Sequence, residues 1–452
     1  MKAWRPWLIV PLLLVVLFRP GTQTHVEAAG PMFGNGSDGA IIFSSNSTMM
    51  PIDAPASGTA GATTLTASNA FFAAGQRLLV HQTMGASAGV WELNQVAAYA
   101  FGTITTVTPL AHSYSSAGVN KAQVLVLPQY SNVTVNLGVI LSAKPWSTSS
   151  GTGGILAFLA SGTTTINGTI SVVGSDGLDG AAGSGAGFAG GNSAPSSTQA
   201  GSGEGTSGPS APQTVPNGNG GGGGATAGGS GVGGGGGNGS AGVSGIGCSA
   251  GTGGTGGSAA GSADLTNMVL GGGGGGGRPF NASARGGGAG GGIIVVGSNI
   301  IQGTGLVKAD GGLGPNNGCA SAGGGAGGSI LLRGGTLSLT GFSVSAIGGP
   351  GGRPPDCGVV LCGDGGDGRV RVEYCDSLVG GASNPVPLVA HISCTSVGGI
   401  AEQPDVTALS TAAASSGGDS AVYMLGAAGA LMVAAAGAVG WRKWRTRAPL
   451  AG

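Results

Sequence analysis

The residues best suited to chemistry are four carboxylates in one stretch, Asp364, Asp367, Glu373 and Asp376, the first two inside Gly363-Asp364-Gly365-Gly366-Asp367-Gly368. A hard cation such as Ca²⁺ takes several oxygen ligands, so Asp364 and Asp367 are the candidate metal ligands. Their register departs from the Gly-Gly-x-Gly-x-Asp pattern of calcium-binding repeats, and Asp-Gly pairs also make ordinary turns. A nucleophile pattern, Gly-x-Ser-x-Gly, occurs at Gly85-Ala86-Ser87-Ala88-Gly89. Such an elbow needs a strand before the serine and a helix after it. Val90-Trp91-Glu92-Leu93 is too short a continuation for a helix, and among 102 glycines the match is expected by chance. His25, His81, His112 and His391 form no metal-ligand spacing. The glycine runs lack the Gly-Lys-Ser/Thr of a phosphate loop. A carbohydrate lyase or hydrolase would need acids converging on one face; Asp310 and Arg333 occur in neighbouring repeats, but nothing in the sequence joins them. The reading is that the chain carries no catalytic and no cofactor-binding residue, with Ca²⁺ the one ion to consider.

The six cysteines, Cys248, Cys319, Cys357, Cys362, Cys375 and Cys394, are even in number and contain no Cys-x-x-Cys pair. In an exported chain that favours disulfides over zinc. Cys357 with Cys362, and Cys375 with Cys394, are the pairs that would close small loops, and the connectivity stays open. Export itself is indicated by residues 1–29, where Lys2 and Arg5 precede the apolar stretch 8–18 and small residues end at Ala28-Ala29, the order of a cleaved signal peptide. Residues 421–440 hold no charge and are followed at once by Trp441-Arg442-Lys443-Trp444-Arg445. That is the length and flank of one transmembrane helix with a basic cytoplasmic tail, 441–452. The formal charge is zero, yet seven of the 17 Lys and Arg lie in the leader or tail, so the body between them is mildly acidic. A basic face for nucleic acid is therefore lacking.

The elements that would position any site are strands. Residues 33–146 show short β-branched runs such as Thr103-Ile104-Thr105-Thr106-Val107, punctuated by Gly, Pro, Ser and Asn, and are expected to form a β module. From 147 to 380 three segments resemble one another. Gly154-Ile155-Leu156-Ala157-Phe158, Gly292-Ile293-Ile294-Val295-Val296 and Gly328-Ser329-Ile330-Leu331-Leu332 each lead to a short strand, a turn at a glycine, and a second strand. Repeats of that form read as coils of a parallel β-solenoid, with Arg369-Val370-Arg371-Val372-Glu373-Tyr374 as the strand that closes the stack. A low-complexity insert occupies about 180–290, and between Asp179 and Asp264 its only charge is Glu204. It is either a flexible linker or an ordered set of glycine helices of polyproline-II type. Residues 381–420 read as a Cys-containing tail and stalk.

Several phrases carry a resemblance: Trp91-Glu92-Leu93-Asn94, Pro128-Gln129-Tyr130-Ser131-Asn132-Val133, the Gly-Gly-Gly-Ala-Gly-Gly runs before Ile293 and Ile330, and Gly368-Arg369-Val370-Arg371-Val372-Glu373-Tyr374-Cys375. Together they resemble exported glycine-rich bacterial surface proteins, adhesin-like, with parallel β-helix-type repeats. The resemblance implies a surface location and no transferable activity. The composition also resembles glycine-rich sandwich domains of phage tail adhesins and some receptor ectodomains, in which polyglycine helices present binding loops. The expectation is an all-β, membrane-anchored cell-surface protein with a structural or adhesive role, meeting glycans, the cell envelope or other surface proteins. A β-helix polysaccharide lyase or hydrolase, and an ice-binding or purely structural envelope protein, are the alternatives; ice binding would need flat ranks of threonine, of which Thr163-Thr164-Thr165 is the only hint.

Overall fold

The computed structural model describes residues 31–68, 71–194, 198–224, 230–248, 251–278, 285–317, 321–353 and 363–394. The segments expected to be the signal peptide, the stalk beyond residue 394, the membrane span 421–440 and the basic tail lie outside them. Among the described residues every regular element is a β-strand, and no helix is long and apolar enough to cross a membrane.

A parallel sheet of twelve strands organises the chain. Its rungs stack as the repeats predict, since Ile155 pairs with Ile293, Ile293 with Ser329, and Ser329 with Arg369. The long strand Ser329–Ser345 pairs with both Ile293–Gly303 and Leu306–Lys308, which joins one flank of the sheet to the other. Each turn thus wraps round a common interior. Alternation fills that interior: Leu156, Phe158, Ile294, Val296, Ile330, Leu332, Val370 and Val372 point into one core. The intervening residues Ile155, Ala157, Ile293, Val295 and Leu331 are also buried, in a second core. A strand covered on both faces reads as a continuous apolar run, which is the character of 155–160 and 293–296.

The strand at Arg369 does not close the stack. It continues to Asn384, and Leu388–His391 adds a further rung against Arg371, Val372, Glu373 and Tyr374. Nor does 33–146 fold as one module. Ile41–Phe43 and Ser47–Met49 form the first solenoid turn, and Val133–Val135 with Ile140–Ala143 form the next. Between these turns, Asp53–Ser57, Thr64–Ala67, Arg77–Met84, Trp91–Ala100, Thr103–Thr106 and Lys121–Leu127 close into an antiparallel barrel. The outer strands are three or four residues long and their parallel partners lie far along the chain, so local patterning cannot separate them from the barrel. The barrel packs Leu65, Leu78, Val80, Ile104 and Val124 inside itself. Its Trp91, Leu93, Leu125 and Leu127 reach outward into the second core with Trp146, Phe188, Met268 and Leu270.

The described part of the insert is ordered. In the run 271–277, the N–H groups of Gly271, Gly274 and Gly277 donate to Gly291, Gly288 and Arg285, those of Gly272 and Gly275 to Gly237 and Gly234, and those of Gly273 and Gly276 to Glu204 and Gly201. The carbonyls of Gly271 and Gly274 accept from Phe188 and Gly191, those of Gly272 and Gly275 from Ala326 and Gly323, and those of Gly273 and Gly276 from Gly221 and Gly224. All of these bonds measure 2.8–3.1 Å. Every third residue meets the same neighbour, which is the threefold periodicity of a polyproline-II helix, and six segments surround the central one. The glycine-helix reading therefore holds, and the linker reading does not. A Cβ on Gly275 would stand well inside contact distance of the Gly222 carbonyl oxygen, and one on Gly272 would do the same at Asn219.

Gly275→Ala should cost about 3 kcal/mol through this overlap. Gly138→Ala, at a left-handed turn glycine with nothing within 4 Å of its added Cβ, should cost about 1 kcal/mol. Chemical denaturation midpoints of the two variants check the ranking.

Candidate functional site

Most buried charge in the protein is committed to holding the fold. Glu92 accepts from the Ala111 and His112 amides at 2.8 and 3.2 Å and from the Tyr114 hydroxyl at 3.1 Å, which fixes the loop before the last barrel strand. Glu204, the only charge between Asp179 and Asp264, accepts from Trp146 Nε1 at 3.2 Å and the Ala189 amide at 3.1 Å, and Thr148 donates to its other oxygen. It pins the glycine helices to the solenoid. Burial alone would raise the Glu373 carboxyl, yet the Arg333 and Arg371 guanidiniums that bracket it hold it below the ordinary carboxylate range. Arg333 is thus spent on Glu373, while Asp310 pairs with Lys308 and accepts from Ser345 and the Ile347 amide on another flank. The two are not brought together.

The candidate metal ligands each serve the backbone. Asp364 accepts from the Gly351 amide at 2.7 Å and faces Arg353 at 3.1 Å, and Asp367 accepts from the Gly348 amide at 3.1 Å. Among the described residues the only cluster of three potential ligands is Cys375, Asp376 and Cys394, and its two cysteines form a disulfide with a Cα–Cα distance of 5.4 Å. That bridge is one of the two expected pairs. It ties the chain beyond Leu388–His391 back to the preceding rung. Cys319, Cys357 and Cys362 lie outside the described residues, and Cys248 stands in the short strand Gly247–Cys248.

The Gly85-to-Gly89 pattern is the turn of a hairpin, between Arg77–Met84 and Trp91–Ala100, so no helix follows the serine. His81 lies on the strand before it, fully buried, with Nε2 2.7 Å from the Met268 carbonyl oxygen and Nδ1 2.9 Å from Thr83 Oγ1. The proton therefore sits on Nε2. Desolvation pushes this imidazole down to about 4, against the smaller opposing effect of the Met268 bond.

Among the described residues, two features stand out as open to a ligand. The first is a pair of outward rows on the solenoid flanks. Register aligns Thr134, Thr165, Gln302 and Ser338 on one flank. On the other it aligns Thr48, Ser142, Ser171, Lys308, Ser345 and Asn384. Rungs repeat about every 4.8 Å, so the first row is a ladder of hydroxyl and amide groups and the second is one interrupted by Lys308, which pairs with Asp310; the rows are linked internally at Thr48–Ser142 by 3.0 Å and at Gln302–Thr165 by 3.3 Å. Neither row is an unbroken threonine rank. The second is a cleft of about 510 Å³ where the Gly85-to-Gly89 turn meets the glycine helices, lined by Ser87, Thr206 and Ser207 together with Val119, Ala260 and Val269. Sequence reasoning missed both, since rows and cleft exist only once distant segments are in register.

No family model and no curated protein matches the chain. Among solved structures it is similar to the tailspike gp49 from Pseudomonas phage LKA1, at 11% identity and a TM-score of 0.17, covering 75% of this chain and 62% of that one. It is also similar to the gp54 tailspike of Acinetobacter baumannii bacteriophage AP22, solved in complex with A. baumannii capsular saccharide, at 9% identity and a TM-score of 0.19, covering 78% of this chain and 58% of that one. The chain spans less than two thirds of either tailspike, and what it does has to be argued from its own residues.

The neutral His81 yields a pH dependence of known sign. The unfolded chain takes up a proton near pH 6.5 while the folded one resists until about 4. Stability is therefore complete above pH 6.5 and is lost as the pH falls through 4, by about 3 kcal/mol. His81→Gln, which keeps a donor for Met268, should flatten the wild-type slope between pH 6.5 and 4 in urea denaturation.

Proposed function

We propose that this protein is a surface protein, exported by its leader and held by the 421–440 span, whose ordered body has a structural or adhesive role toward neutral glycans. The observation that carries the reading is the pair of hydroxyl and amide ladders on the solenoid flanks. A repeating row of small donors and acceptors suits a repeating hydroxylated polymer, because many weak hydrogen bonds then add along its length. The rows are mounted on a sheet buried on its inner face, so little ordering entropy is lost when a ligand is bound. The disulfide at Cys375 and Cys394 fits an oxidising compartment outside the cell. The sparse, mildly acidic charge argues for uncharged partners and against nucleic acid.

Cells displaying the protein should retain neutral polysaccharide more strongly than cells lacking it. Thr165→Arg combined with Ser171→Arg, one on each flank, should lower that retention about tenfold at unchanged surface expression. Equal retention by displaying and non-displaying cells across a panel of neutral and acidic polysaccharides would overturn the adhesive reading.

A further inference from the structure

We infer that the cleft between the barrel and the glycine helices is a discrete binding site for a short neutral saccharide, distinct from the flank rows; the inference rests on the glycan-binding reading and names a subsite for it. The first argument is construction. The rim is held from both sides: the Gly85 amide donates to the Thr206 carbonyl at 2.7 Å, the Ala86 amide to Asn120 Oδ1 at 2.9 Å, and the Met268 amide to the Gly89 carbonyl at 2.8 Å. A site built this way is formed before its ligand arrives. Ser87, at the apex, has a φ of 59°, a left-handed conformation that a serine rarely adopts. Strain of that kind persists where the surroundings over-determine it and is concentrated at binding sites.

The second argument is chemistry. Ser87 and Ser207 are exposed and Thr206 half-buried, so three hydroxyl-bearing residues line the cleft. Val119, Ala260 and Val269 supply apolar surface to its wall, with Val269 buried and Val119 exposed, and no acid, base or histidine lines the cleft. A charged ligand placed there would lose hydration without gaining a counter-charge. A wholly apolar ligand would leave the hydroxyls unpaired. A pyranose unit offers what both sets of residues require, a C–H face for the apolar surface and equatorial hydroxyls for the serines and the threonine. The volume of about 510 Å³ falls within the range of about 300–1,000 Å³ usual for small-ligand sites. Without a base beside Ser87, the cleft binds and does not cleave.

The test uses the full chain in a sugar-free detergent, with neutral trisaccharides of glucose, galactose and mannose as probes and a uronic-acid trisaccharide as the charged comparison, read by ligand-observed saturation-transfer NMR. We expect saturable binding of at least one neutral probe and none of the charged one. Val119→Trp, at an exposed position lining the cleft, should weaken that binding at least tenfold with an unchanged melting temperature, and Thr165→Arg on the flank should leave it intact. Binding that survives Val119→Trp but falls in Thr165→Arg would overturn the cleft while sparing the adhesive reading. A preference for the charged probe would overturn the neutral assignment. If no trisaccharide binds while cells displaying the protein still retain polysaccharide, the cleft fails alone; if neither occurs, both fail together.

Discussion

Backbone hydrogen bonding between chains that carry no side chains is the constraint on which this structure depends. A buried peptide group must find a partner, and a threefold helix aims successive N–H and C=O groups in three directions about its axis, so a single neighbour cannot satisfy it. The run 271–277 meets this demand with six surrounding segments. Axes can come that close only where the residues facing a neighbouring backbone are glycine, because the space a Cβ would need there already holds a neighbour's carbonyl. The hydrophobic effect contributes little inside such an array. Its cohesion is polar, dense and set by backbone geometry.

The solenoid and barrel supply what the array lacks. The run 286–292 leads directly into Ile293–Gly303, and 323–328 into Ser329–Ser345, so the glycine helices are continuations of the rungs and inherit their register. The second core, between the sheet, the barrel and Met268 and Leu270, contributes the apolar burial that anchors the assembly. At about 25 cal/mol for each Å² of apolar surface, its aromatic residues Trp91, Trp146 and Phe188 are the largest single contributors. Glu204 links the two regimes. It is a carboxylate from the array that engages an indole from the core, and its bonds to Trp146, Thr148 and the Ala189 amide account for a charge in so neutral a segment.

Much of this was legible in the sequence, and the limits have physical causes. The repeats beginning at Gly154, Gly292 and Gly328 were readable because each rung has the same length and the same alternation, and they stack in register. Cys375 and Cys394 were readable as a pair because they stand close in the sequence, 19 residues apart. The glycine insert left two readings open because ordered and disordered polyglycine have identical composition; the distinction lies in partners supplied by segments far along the chain. Ile41–Phe43 was hidden for the same reason, its parallel partner Val133–Val135 standing on the other side of a whole barrel. Asp364 and Asp367 stood out as acids by density, whereas their bonds to the amides of Gly351 and Gly348 depend on segments the sequence does not place beside them. The flank rows and the cleft have no local signature at all.

The threefold periodicity of the glycine helices also governs how such a protein can change length. Deleting or adding one residue within a run turns everything beyond it by about 120° about the helix axis, so each following N–H points at the wrong neighbour and six contacts fail at once. A change of three residues restores the phase and shifts the run by one full turn. Viable length variants of such an array should therefore differ in steps of three within the helices and by any number in the loops between them. Over evolutionary time it would grow and shrink as a screw does, in whole turns.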